Sequence, residues 1–273
     1  MNDLIDQFRQ AIAAAGLTPP TEIIDDGVIH RFSSGGKPTH KNGWYMLHTD
    51  GIAAGAYGDW REGFAQNWCS KADTSMTEAE RIAHRERVKA MQRQREDDLA
   101  QRQQLAAADA LKRWTAATPC IQYEYLNRKG IQFHGAKIEG DKLLIPMRDT
   151  TGTVHSLQTI TPDGTKMFMS GGRVKGCYFG IGKPKDALIV CEGYATGASI
   201  HECTGHAVAV AFNAGNLEAV AVALRTKYPA LKIIIAADDD HQTPGNPGIT
   251  KAKAAAQTTG ATLAVPVFKA VAV

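Results

Sequence analysis

Two short apolar runs, each ending in acid, constrain this chain more than any other feature. Ala187-Leu188-Ile189-Val190-Cys191 is followed at once by Glu192-Gly193, and further on Lys232-Ile233-Ile234-Ile235-Ala236-Ala237 is followed by Asp238-Asp239-Asp240. Contiguous β-branched runs of this length fit strands buried on both faces, as in a parallel sheet. The carboxyl ends of such strands line the ligand crevice of an open α/β sheet, so the acids can meet at one edge. Alternation along a strand turns Asp238 and Asp240 to one side and Asp239 to the other. Convergent carboxylates repel one another unless a cation neutralises them, and a hard, oxygen-only set suits Mg²⁺ completed by water and substrate phosphate. Mn²⁺ is the expected substitute. Taken singly, each motif also fits a solvated strand end or a turn. The pair, in this order, points to a site.

A length of 273 residues allows two compact domains or one with appendages, and 44% hydrophobic residues are enough for a sizeable core. The net charge of +3 permits nucleic acid as a partner without arguing for it. The five cysteines are scattered, with no C-x-x-C pair and no His at ligand spacing. Zinc is therefore not expected, and a reducing cytoplasm is. No apolar run reaches the roughly 18 residues that span a bilayer, and Met1-Asn2-Asp3 carries no basic leader, so a soluble chain without a membrane partner is expected.

Residues 4–15 place Leu4, Ile5, Phe8, Ile12 and Ala15 on one helical stripe closed by Gly16. From 23 to 68 the pattern turns to short strands and Gly-rich turns, a small antiparallel sheet. Trp44, Trp60 and Trp68 lie here among Lys37, Lys41 and Arg61. Rings beside cations suit single-stranded nucleic acid, which makes Trp44, Tyr45, Tyr57 and Trp60 candidates for base stacking. The same rings suit the core of a small domain. Residues 71–113, rich in Ala, Glu, Gln, Arg and Lys, read as a long solvated helix starting at Thr77-Glu78-Ala79-Glu80, a spacer more readily than a DNA-binding rod. Beyond Pro119 come a helix capped by Gly130 and strands over 142–149 and 154–160. From 187 onward strand and helix alternate: a helix starting at Gly193 whose free N–H groups could meet a phosphate, a strand over 207–212, the tight loop 213–216, helices over 217–228 and 250–259, and a last strand over 261–266.

Glu192-Gly193-Tyr194 closing one strand, Asp238-x-Asp240 closing a later one and Gly248-Ile249-Thr250-Lys251-Ala252 beyond it resemble the Toprim domain shared by DnaG-type primases, type IA and II topoisomerases and some nucleases. The loop 241–247 is longer than the DnaG form and resembles that of plasmid and phage primases. Tyr125-Leu126, Arg128-Lys129-Gly130-Ile131 and Ile145-Pro146-x-x-Asp149-x-x-Gly152 are similar to the amino-terminal part of the DnaG-type core, with Lys129 where Arg is usual. Segment 166–176 looks like that family's basic stretch facing nucleotide and template. Segment 23–68 looks like the N-terminal module of plasmid and phage primases, but without zinc ligands.

This resemblance implies an α/β fold: a Rossmann-like, parallel-sheet Toprim domain over 184–273, an α+β primase-core subdomain over 117–183, a polar helical linker over 71–116 and a small antiparallel module over 1–70. It implies a DNA primase that makes short oligonucleotides on single-stranded DNA from nucleoside triphosphates. Glu192, Asp238 and Asp240 would be its metal-binding and catalytic acids. Arg128, Lys129, Lys166, Arg173, Lys175 and Lys251 would hold triphosphate or template; read alone, such residues are more often ordinary surface cations. A Toprim nuclease uses much the same acids. A non-catalytic single-strand-binding or helicase-loading protein is the reading from another class, although such a scaffold has no need of self-repelling acids. No G-x-x-x-x-G-K-[ST] occurs, so a replicative helicase is expected only in trans.

Overall fold

The computed structural model describes residues 2–35, 41–60 and 62–266. Lys37 and Arg61, two of the cations noted beside the aromatic residues, lie outside these, as do residues 267–273. The chain divides into two compact units, Met1–Ala100 and Gln101–Val273.

In the first unit, α1 (Asn2–Ala14) precedes a four-stranded antiparallel meander of β1 (His30–Phe32), β2 (Gly43–His48), β3 (Ala54–Asp59) and β4 (Phe64–Cys69). Phe8 and Ile12 of α1 pack with Tyr45, Leu47 and Tyr57, and the Phe8 ring meets Tyr45, Tyr57 and Trp68 edge-on. The residues between these on β2 face the other way. Met46, with Ala54, packs on Met91 and Val88 of α2 (Glu78–Ala116), and Arg95 lies over the Trp44 ring at 5.5 Å. The sheet is thus covered on both faces, and Trp44, Tyr45 and Tyr57 are only 1%, 3% and 2% exposed. These three rings are core, not base-stacking surface. Trp60 is half-buried, tilted against Trp44 at 5.4 Å and covered by Arg31 at 5.3 Å.

The α2 helix begins where its sequence motif places it. Thr77 Oγ1 accepts from the Glu80 amide while the Glu80 carboxylate accepts from the Thr77 amide, a reciprocal capping box. The helix is not the solvated rod its composition indicates, because Met91, Ala106 and Ala110 are buried. Small residues and long Arg and Gln stems cover apolar surface without an obvious apolar stripe.

In the second unit, β5 (Thr118–Pro119), α3 (Glu124–Lys129), β6 (Lys137–Glu139), β7 (Lys142–Arg148), β8 (Val154–Ile160) and β9 (Lys166–Phe168) come first. Their strands form one antiparallel sheet in sequence order. Leu144 and Leu157 on one face meet Ala110 and Trp114 of α2, with Ala117 beside them. Leu143, Ile145, Met147 and Ile160 on the other face enter a core shared with the second sheet.

That second sheet contains β10 (Phe179–Ile181), β11 (Ala187–Cys191), β12 (Ala207–Val210), β13 (Lys232–Ala236) and β14 (Thr262–Ala264) in the order β10-β12-β11-β13-β14. Four strands are parallel, and β10 adds an antiparallel edge. α5 (Leu217–Lys227) and α6 (Pro247–Thr259) cover one face through Val220, Leu224, Ala252 and Ala255. α4 (Tyr194–Thr204) and the antiparallel sheet share the core on the other. α6 starts at Pro247, before the expected position, because Asn246 caps it and Pro at the first helical position is preorganised for it. The fold is mixed α/β. No helix among the described residues is long and apolar enough to cross a membrane.

Candidate active site

β11 and β13 are parallel neighbours with Val190 opposite Ile235, so their carboxyl ends finish level. Adjacent strands lie about 4.8 Å apart, which brings Glu192, one residue past β11, beside Asp238, two residues past β13. Burial pushes the Glu192 carboxyl above its ordinary range, and repulsion from Asp238 and Asp240 adds to this. The Ala214 amide and Lys166 act in the opposite direction. Asp238 is likewise raised, by burial first and then by Asp240, against the pull of Lys166. Glu192 Oε2 is buried without a hydrogen-bond partner.

The Asp238–Asp240 stretch lies beyond the end of β13, so strand pleating does not orient it as the sequence reading supposed. Asn246 does much of this work: its Oδ1 accepts from the amides of Asp240 at 3.1 Å and Ile249 at 3.4 Å, and its Nδ2 donates to Asp239 at 2.7 Å. Asp240 Oδ2 in turn accepts from the Gly248 amide at 3.1 Å. Asp239 is turned to the loop, leaving Asp238 and Asp240 to interact with Glu192.

An orphaned carboxylate oxygen among desolvated, mutually repelling acids fits a hard cation. Among the described residues, no three His, Cys, Asp or Glu side chains are grouped so as to hold an ion by themselves.

The six candidate cations separate. Lys166 opens β9, with its ammonium 4.0 Å from where a Cβ on Gly193 would stand, and its charge is felt at both Glu192 and Asp238. Arg173 lies 3.9 Å from Asp149 instead. Burial opposes ionisation of Asp149, but hydrogen bonds from Thr151, His155 and the Thr151 and Thr153 amides outweigh it and hold that carboxyl well below the usual range. Arg128 donates to the Pro162 carbonyl at 2.9 Å and pairs with Glu124 at 3.6 Å. Lys129, Lys175 and Lys251 are exposed. At the start of α4, Gly193 is the cap residue and supplies no side-chain hydrogen bond, so the first-turn amides have no side-chain cap.

Residues 187–270 match the Toprim domain family. This segment is a Toprim domain. Two Escherichia coli proteins named DNA primase TraC are 36% and 37% identical to the chain over 285 and 284 aligned positions. Each alignment covers 96% of this chain, but only 26% of one relative and 19% of the other, so the chain spans about a quarter or less of the curated relatives it matches. Among solved structures, the primase fragment of the bacteriophage T7 primase-helicase is similar at 17% identity with a TM-score of 0.40, over 56% of this chain and 70% of that one. The DnaG primase catalytic domain bound to single-stranded DNA is similar at 12% identity with a TM-score of 0.45, over 63% and 74%. Toprim domains generally use divalent metal ions, in keeping with the acids described above.

Sequence reading missed the residues that brace the Toprim acids. Asn216 was visible only as part of a tight loop, yet it is 3% exposed and fully engaged. Its Nδ2 donates to the carbonyls of Cys177 and Ala211, each at 2.9 Å, and its Oδ1 accepts from the Gly176 amide at 2.8 Å. One buried amide thus ties the end of the basic segment to the loop after β12, whose Ala214 amide faces Glu192. Asn216→Ala leaves two buried carbonyls and the half-buried Gly176 amide without this partner and is expected to lower unfolding stability by about 2–3 kcal/mol. Denaturant unfolding followed by circular dichroism checks this; a midpoint matching wild type would remove Asn216 from the bracing.

Proposed function

We propose that this chain is the catalytic region of a DNA primase, synthesising short oligonucleotides on single-stranded DNA by Mg²⁺-dependent nucleotidyl transfer. The observation that carries the reading is the meeting of Glu192, Asp238 and Asp240 at one Toprim edge, with Lys166 opposite and a buried carboxylate oxygen unpartnered. Relatives named DNA primase across 96% of the chain support polymer synthesis over the nuclease reading.

Asp238 and Asp240 hold Mg²⁺ in this reading, and the ion, when bound, neutralises charge developing on the attacked phosphate. Lys166 receives the triphosphate as a point charge. Glu192, whose carboxyl is raised and has a free Oε2, accepts the proton of the primer 3′-hydroxyl. Nucleoside triphosphates and a single-stranded DNA template are the substrates, and a replicative helicase acts in trans.

The test is synthesis on single-stranded circular DNA with labelled nucleotides and Mg²⁺. Short labelled products that disappear on chelation are expected. Metal-dependent degradation of the circle without synthesis would replace this reading by the nuclease one. Tight binding of the circle with neither activity would replace it by the accessory-protein one.

A further inference from the structure

The antiparallel edge strand β10 leaves part of the parallel sheet open. Arg148 and Tyr178 exchange backbone hydrogen bonds, the Arg148 amide donating at 3.0 Å and the Tyr178 amide at 2.8 Å. The polar groups of Tyr178 therefore point away from β12, and the two-residue period of a strand turns the N–H and C=O of Gly180 the same way. Gly180 is exposed, and no described residue outside the sheet bonds to its backbone. Unpaired edge groups of this kind are a template for another strand.

Nothing in the chain itself requires glycine at this position. The φ of Gly180 is not left-handed, and an added Cβ would touch only Tyr178, at an ordinary 3.7 Å. Glycine weakens a strand, and within one it often marks close approach by a ligand or a second backbone. Gly180 lies opposite Ala209, on the face covered by α5. With no side chain there, a hollow of about 150 Å³ opens between Tyr178, Leu188, Ala209, Leu224 and Tyr228.

Tyr178 and Gly180 also wall a second cavity of about 330 Å³, together with Trp114, Arg148, Thr150 and Lys227. The Arg148 guanidinium is held over the Trp114 ring at 5.5 Å, and among the described residues it has no carboxylate or hydrogen-bond partner. Lys227 donates to the Thr150 carbonyl and pairs with no described carboxylate. Asp149 lines the same cavity, but its carboxylate is already taken up by His155 and the Thr151 and Thr153 amides. Lys183 and Lys185, both exposed, follow β10. An apolar hollow and an open strand edge thus lie beside cations that lack acids.

We propose that this groove docks an extended acidic peptide. The segment adds to the edge of β10 at Gly180, places an apolar side chain in the hollow and brings a nearby Asp or Glu to Arg148 and Lys227. A residue paired with Gly180 projects its side chain onto the α5 face, where the hollow lies. Phosphates suit the cations as well, but the open edge and the missing Cβ match a second peptide backbone rather than a sugar-phosphate chain. None of the acids beyond β11 and β13 lines either cavity, and the docking does not depend on the primase reading.

The full chain is titrated by fluorescence anisotropy at low ionic strength with labelled, amidated peptides of about ten residues, a β-branched background carrying one Leu or Phe with Glu two residues away. A matched set has Lys for Glu, and oligothymidylate is titrated in parallel. The Glu set is expected to bind about tenfold more tightly than the Lys set or better, and to slow amide exchange at 178–182 as a strand forms. G180V fills the hollow without a clash. It is expected to melt at or above the wild-type temperature and to weaken the Glu peptides about tenfold or more. K227Q and R148Q should each weaken them about tenfold. If G180V does not fold, G180A, which adds only the Cβ, is expected to show a smaller loss in the same direction. Equal binding of the two peptide sets overturns the proposal, as does wild-type affinity in both Gly180 variants. Binding that leaves exchange at 178–182 unchanged reduces the contact to charge and overturns strand addition. Oligothymidylate displacing the peptides, with its own affinity lost in K227Q, assigns the groove to nucleic acid and overturns the proposal too.

Discussion

Asp238→Asn is expected to lower primer synthesis about a thousandfold while making the metal-free protein more stable. Loss of a metal-binding charge removes several kcal/mol of transition-state stabilisation, and about 4 kcal/mol corresponds to three orders of magnitude. The stability gain follows from the environment: Asp238 is raised by burial and by Asp240, so its ionised form opposes folding. A carboxyl whose folded pKa exceeds its unfolded value contributes stability that is fully present below the unfolded value and is lost as pH rises through the folded one. The ordinary values are 3.8 for Asp238 and 4.5 for Glu192, and both are raised. The advantage of Asp238→Asn over wild type should therefore be absent at strongly acid pH, appear as the pH rises above these values, and be largest near neutrality. Carboxyls held low, such as Asp149, shift the two proteins equally and cancel in the difference. Excess Mg²⁺ should reverse the order at neutral pH, because it binds the folded wild type more tightly. Thermal melts of both proteins across pH, with and without Mg²⁺, test this. Equal melting temperatures in every condition would exclude Asp238 from a metal-dependent centre.

Gly248→Ala should be nearly as damaging without touching an acidic side chain. A Cβ at Gly248 would stand 2.3 Å from the Asp238 carbonyl oxygen and 2.9 Å from Asp240 Oδ2, distances that real Cβ atoms do not show. The first of these is backbone and cannot swing aside. The loop carrying both acids must therefore move away from the start of α6, and the Gly248–Asp240 hydrogen bond must lengthen. A displacement on the order of 1 Å costs about a hundredfold in rate, and overpacking here costs about 1–3 kcal/mol in stability. Lys253→Ala, on the exposed side of the same helix, is the control. Priming rates and melting curves for the pair should diverge strongly; matching values would show that the loop tolerates the methyl group.

The parts of the fold that were legible were those in which local pattern and final environment agree. β11 and β13 are buried on both faces, so they appear as contiguous apolar runs, and the acids at their tips stand out by contrast. The turn residues around α2, α3 and α6 are local chemistry as well. Aromatic residues at consecutive positions on β2 were harder to place. Trp44 and Tyr45 point to opposite faces of one sheet, so their burial requires two separate helices, and nothing within 43–60 announces either.

The chain's own sequence determined the order of strands and helices and the acids at the edge of the parallel sheet, because periodicity and capping act over a few residues. Tertiary structure alone decided what surrounds those acids. Asn216 binds Cys177 from 39 residues away, and Gly248 is required by the carbonyl of Asp238. A single polar residue or glycine has no period and no motif. Its role is set by neighbours that chain folding brings together, and those neighbours cannot be read from the residues beside it.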